Sequence, residues 1–132
     1  MMYFLDTNVI IDIIDNNKTV IERFKKCYAS SIVRIPDIVF YEIKRGFDYI
    51  DPKNQLSTFL DFERRCNIVY QTRWSLEIAA KNYALLRKAG TPIEDGDLLI
   101  GSLAIAEKAI LVTNNTKHLS RLPEIQLENW AE

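Results

Sequence analysis

The chain alternates short apolar runs with amphipathic stretches, and its first apolar run, Met2-Tyr3-Phe4-Leu5, stops at an acid. That order constrains the fold more than any other feature. An unbroken apolar run of this length suits a strand buried on both faces. Asp6-Thr7-Asn8 follows, three good helix-capping residues, before the sequence turns apolar again. The start therefore reads as a strand running into a helix, with Asp6 at the strand's carboxyl end. Val9–Asp15 and Val20–Ala29 have near-helical spacing. Ile32–Ile35 is a strand ending at Pro36, and Ile38–Gly46 a helix that Gly46 is placed to cap. A helix from Asp51-Pro52 to about Arg65, a strand over Asn67–Tyr70 and an amphipathic helix over Trp74–Lys88 come next. Asp97–Glu107 is apolar on most sides and so expected beneath other helices. Ala109–Thr113 is a clean strand, Asn114–Lys117 a turn, and Ile125–Glu128 an edge strand. The expected fold is α/β, a three-layer arrangement with a mostly parallel central sheet of four to five short strands and helices on both faces.

The 132 residues suit one domain spanning 1–132. An apolar fraction of 48% and a charged fraction of 27% are ordinary for a globular chain. No apolar run reaches membrane length, and no basic-then-apolar leader precedes the first strand. A cytoplasmic protein with Cys27 and Cys66 as reduced thiols is therefore expected. A net charge of −1 favours no class of partner. His118 is the single histidine, which excludes a two-imidazole hydrolytic centre within one chain and otherwise reads as a surface or turn residue.

In a parallel sheet, strand carboxyl ends share one edge, and ligands bind there. Asp6 lies at that edge, and Asp97 opens a helix that starts there. Glu42 lies about five residues into its helix, only about 8 Å below the rim at 1.5 Å per residue. Asn114 and Asn115 leave the fourth strand at the same edge. Two like charges about 4 Å apart repel by roughly 4 kcal/mol at an effective dielectric near 20, so such a cluster calls for a cation or a shared proton. Oxygen ligands without Cys or His suit Mg²⁺, Mn²⁺ or Ca²⁺, and the implied chemistry is attack of water on a phosphodiester. Each acid also has a plainer reading. Asp6 and Asp97 can be helix caps. Glu42 interrupts Ile38-Val39-Phe40-Tyr41 and Ile43, where a carboxylate is expensive without a partner. The pairs Lys44-Arg45, Arg64-Arg65 and Arg87-Lys88 are solvated faces unless they ring the acidic rim. Tyr41, Phe47, Tyr49 and Phe59 are core or interface residues.

These residues resemble a known family. Leu5-Asp6-Thr7-Asn8-Val9-Ile10, Glu42 in a short apolar helix, and Asp97-Leu98-Leu99-Ile100-Gly101 followed by Ala104 are similar to the PIN domain. Leu111-Val112-Thr113-Asn114-Asn115, with His118-Leu119, Leu122-Pro123 and Glu128-Asn129-Trp130, resembles the VapC-type toxins of toxin–antitoxin pairs. The resemblance implies an endoribonuclease dependent on Mg²⁺ (Mn²⁺ as an alternative), leaving 5′-phosphate and 3′-hydroxyl ends. It also implies a VapB-type antitoxin partner and a homodimer. Carried over residue by residue, Asp6 and Asp97 hold the metal, and Glu42 binds it through water or orients the nucleophile. Thr7, Asn8, Thr113 and Asn115 are their polar neighbours. Many PIN domains carry a fourth acid where Asn115 stands; an amide brings no charge, which argues against a second metal, and Asp95 is a candidate substitute in a weaker register. Two alternatives stand beside this reading. One is a PIN-like domain that binds RNA or protein without cutting. The other is an aspartate-dependent phosphatase, which wants an acid where this chain has Asn8.

Overall fold

The computed structural model describes residues 1–132. Its elements in chain order are β1 (Met2–Leu5), α1 (Thr7–Ile14), α2 (Lys18–Ser30), β2 (Ile32–Pro36), α3 (Asp37–Ile50) and α4 (Gln55–Cys66). They continue with β3 (Ile68–Val69), α5 (Arg73–Lys88), α6 (Asp95–Glu107), β4 (Ile110–Val112), α7 (Thr116–Leu119) and β5 (Leu127–Glu128). The five strands form one sheet in the order β3-β2-β1-β4-β5, and every pairing is parallel. β1 is central, with Phe4 facing Arg34 on one side and Leu111 on the other. The α/β class, the parallel sheet and the edge position of the last strand agree with the sequence reading.

One apolar core holds the layers together. Phe4, Leu5, Ile35, Leu111 and Val112 on the strands and Val9, Ile10, Val39, Phe59 and Leu103 on the helices are all buried. Trp130 is buried as well, its indole N–H donating to Glu128 Oε1 at 3.0 Å, which pins the chain's end. Of the four aromatics expected in core or interface, Phe47 and Phe59 are core and pack edge to face, while Tyr41 and Tyr49 are exposed. Both cysteines are free. Burial pushes the Cys66 thiol up to about 12, which leaves it inert.

Three local expectations are corrected. Gly46 does not cap α3; the helix runs on to Ile50 and ends at Asp51 in the left-handed conformation (φ 58°). Burial of Phe47 on the next residue outweighs the roughly 1 kcal/mol a glycine costs inside a helix. Asp51-Pro52 accordingly ends a helix rather than opening one, and α4 begins at Gln55. Residues after Asn115 form the short helix α7, not a turn, because Leu119 and Leu122 are drawn into the core beside α6. α6 tolerates that approach through Gly101, where a Cβ would stand 2.3 Å from Leu122 Cδ1.

Candidate active site

β1 ends as the sequence suggests, with its polypeptide passing straight into α1. Asp6 is the N-cap of that helix, in extended conformation (φ −77°, ψ 165°), and its backbone N–H donates to Val112 O at 2.9 Å, which locks it to β4. The side chain is only 4% exposed. Its Oδ1 accepts from the Thr7 backbone N–H at 2.8 Å and its Oδ2 from the Thr113 hydroxyl at 2.7 Å. The capping role and the candidate-site role therefore coexist in one carboxylate. Burial raises the Asp6 pKa above the ordinary carboxylate range, the two hydrogen bonds oppose that rise, and the Glu42 charge adds to it.

Glu42 reaches the same rim from α3. Its Oε1 accepts from the Thr7 hydroxyl at 2.6 Å, so Thr7 joins two acids, one through its backbone and one through its side chain. The other oxygen of Glu42 lies against the first turn of α6: a Cβ built on Gly96 would stand 2.7 Å from Oε2. Only a glycine admits the carboxylate at that spot. Asp97, the next residue, has its pKa raised to about 6. Burial is the largest cause; the charges of Asp6, Glu42 and Glu94 follow, and His118 works against them. Asp97 Oδ2 accepts from the Asn115 amide at 3.0 Å. Asn115 in turn donates its backbone N–H to the Thr113 hydroxyl at 2.9 Å. A continuous chain of hydrogen bonds thus runs from Asp6 through Thr113 and Asn115 to Asp97.

The remaining sequence-predicted residues divide. Thr7, Thr113 and Asn115 each hold one of the three acids directly. Asn8 does not; its Oδ1 accepts from the Asn114 backbone N–H at 3.1 Å and braces α1 against the loop after β4. Asp95 faces α5, lining a hollow with Leu76, Ala79 and Tyr83 away from Asn115. The acid that acts on Asp97 beside Asp6 and Glu42 is Glu94. Glu94, Asp97 and Asn115 line a cleft of ≈ 470 Å³ together with Arg87, Arg121 and His118. Of the basic pairs Lys44-Arg45, Arg64-Arg65 and Arg87-Lys88, only the last contributes a side chain to this cleft, while Lys44 pairs with Asp48 and Arg64 with Asp61. The sequence offered one signal for Gly96, a glycine set between two acids at a helix start. It offered another for His118, three residues beyond Asn115 and so on the same face of any helix there.

No group of three or more His, Cys, Asp or Glu side chains closes into a ready-made ligand set. The donors at this rim are carboxylate oxygens. Asp97 Oδ1 and Glu42 Oε2 have no hydrogen-bond partner within the chain, while each Asp6 oxygen accepts one bond and keeps further acceptor capacity. Such a set fits a small hard cation that retains several waters and does not fit a soft metal.

A PIN domain family model matches residues 3–125. The chain is 34% identical to ribonuclease VapC2 of Rickettsia felis, over 98% of this chain and 98% of that one. It is 28% identical to ribonuclease VapC1 of Haemophilus influenzae over the full length of both. The solved structure of VapBC2 from Rickettsia felis bound to a DNA fragment from their promoter superposes with a TM-score of 0.90 at 30% identity, covering 98% of this chain and 99% of that one. The family match, the end-to-end sequence similarity and the superposition agree: the chain belongs to the PIN domain family, in its VapC branch.

Proposed function

We propose that the chain is a metal-dependent endoribonuclease, the toxin half of a VapBC-type toxin–antitoxin pair acting in the cytoplasm. One observation carries the reading: three acids from β1, α3 and α6 meet at the carboxyl edge of the sheet, where burial, and after it the charges of Asp6, Glu42 and Glu94, hold Asp97 up near 6. A divalent ion, Mg²⁺ or Mn²⁺, bound there would neutralise that charge and lower the pKa of a coordinated water. Asp6 and Asp97 are the residues to hold it, Asp6 fixed by its two hydrogen bonds and Asp97 by one. Glu42, tied to Thr7, would orient a water molecule on the ion. Arg87 and Arg121 line the adjoining cleft, where guanidinium groups suit the phosphates of an RNA strand. The name ribonuclease on the VapC relatives supports RNA as substrate. Tyr41, Tyr49 and Ile50, left exposed along α3, are the apolar groups we assign to a VapB-type antitoxin. Leu76 and Tyr83 on α5 are those we assign to a second copy of the chain.

The test uses antitoxin-free protein and end-labelled structured RNA, with Mg²⁺ or Mn²⁺ and with chelator. Wild-type protein should cut with metal alone and leave 5′-phosphate ends, and Asp6→Asn should lose more than about 100-fold in rate, since even outer partners of metal ligands cost about 10–100-fold. Equal cleavage by both proteins, or cleavage in chelator, overturns the reading.

A further inference from the structure

We propose that His118 is a positioning residue: it steadies the Asn115 amide that meets Asp97, and the same contact holds its own imidazole as the Nδ1–H tautomer. An ionised carboxylate only accepts hydrogen bonds, so the group of Asn115 that meets Asp97 Oδ2 at 3.0 Å is the NH₂. The carbonyl Oδ1 is then turned the other way, onto His118 Nδ1 at 2.9 Å. A carbonyl also only accepts, so Nδ1 must carry the proton, and in the neutral ring Nε2 is left bare.

Nothing else in the chain bonds Asn115 Oδ1. Without His118 the carbonyl side of the amide has no partner in the chain, and the NH₂ is held on Asp97 Oδ2 by a single bond. With it, Asp97 keeps a donor on Oδ2, and its Oδ1 stays free of protein partners. Glu94, Arg87 and Arg121 share the cleft with His118, yet neither arginine lies within ion-pair distance of a carboxylate. α7 is seated by the buried Leu119, so the exposed imidazole is carried on a fixed base.

The tautomer is directly observable, because the chain has one histidine and its imidazole nitrogens are the only ones in the spectrum. A long-range ¹H–¹⁵N correlation on ¹⁵N-labelled protein at about pH 8.5, where an ordinary imidazole is neutral, should show the Nδ1–H pattern. Asn115→Ala should return the ring to the Nε2–H form that free imidazole side chains prefer, with the backbone spectrum otherwise preserved. An Nε2–H ring in the wild type, or one indifferent to Asn115→Ala, overturns the inference whether or not RNA is cut. A second measurement rests on the nuclease reading. His118→Ala should lower kcat about 10-fold with KM little changed, and should add nothing to Asn115→Ala. Multiplying losses, or a change confined to KM, would assign His118 to substrate binding and overturn the positioning role.

Discussion

Replacing Gly96 by alanine separates stability from activity in one step. The new Cβ would stand 2.7 Å from Glu42 Oε2, where ordinary contact begins at 3.4 Å, so the carboxylate must retreat by roughly 0.7 Å. Its other oxygen sits 2.6 Å from the Thr7 hydroxyl. The same retreat along that bond carries it past the roughly 3.0 Å limit of a good O–H···O hydrogen bond. A charge-assisted bond of this kind is worth about 1.5–3 kcal/mol. Glu42 is half-exposed, however, and regains water on turning outward, while alanine adds up to about 1 kcal/mol of helix propensity. The two effects nearly cancel, so net stability should change by less than about 1 kcal/mol, a shift of about 4 °C in Tm for a chain of this length. Activity has no such compensation: misplacing a group that orients the nucleophile by close to 1 Å costs on the order of 100-fold. The assay is RNA cleavage under saturating Mg²⁺ with a melting curve on the same preparation. Full activity in Gly96→Ala would refute the placement of Glu42, and a fall in Tm beyond about 10 °C would refute the claim that its side chain can yield to water.

Gly101, in the same helix, should respond in stability as well. Its added Cβ meets Leu122 Cδ1 at 2.3 Å and Leu119 Cδ2 at 3.3 Å inside the core, so Gly101→Ala should lose about 1–3 kcal/mol in urea unfolding. Asp97 binds its proton more tightly in the folded chain, at about 6, than an ordinary aspartate does at 3.8. Stability conferred by that proton is therefore complete below the lower value and is lost as pH rises through the upper one. In chelator, Asp97→Asn should stabilise the fold by on the order of 1 kcal/mol at about pH 7.5, after allowance for solvent screening, and by nothing near pH 3.5; melting curves at the two pH values check the sign. Thr113→Val strips a donor from Asp6 and an acceptor from the Asn115 N–H. It should cost about 2–3 kcal/mol and shift the acid limb of the pH–rate profile upward, since Asp6 loses a bond that favours its charged form.

Fold and site were legible to different depths because they depend on interactions of different range. β1 and Asp6 were readable from six residues, since an apolar run stopped by a capping acid has one economical solution in a parallel sheet. Placing Asp97 and Glu42 at the same rim needed only the direction of each helix. The true end of α3 was not readable, because it depends on Phe47 finding Phe59 across the core, a contact between separate helices. α7 was missed for the same reason: Thr116–Leu119 has no strong local signal, and it is helical because Leu119 is buried. Asp95 and Glu94 show the limit most plainly. Both flank the start of α6, and a step of one residue turns a side chain by about 100°, so only the packing of α6 against its neighbours decides which of them shares the cleft with Asp97.

That packing also explains how a site with opposed charges keeps its geometry. β1 holds Asp6 rigidly, with Leu5 and Ile10 buried on either side of it in sequence. Asp97 has no strand beneath it, and its position follows from where α6 lies. Gly101 is one turn further along that helix, on the same face as Asp97, and it is there that Leu119 and Leu122 close in. The same two leucines seat α7, which begins at Thr116 just after Asn115 and carries His118. A single apolar knot therefore sets the distance between Asp97 and the amide that steadies it. The repulsion among Asp6, Glu42 and Asp97 pushes the elements apart at the rim, and the core contact a helical turn below resists that push. Overpacking at Gly101 should accordingly displace Asp97 from Asn115 as well as weaken the fold, so that Gly101→Ala loses activity even at temperatures where the protein remains folded.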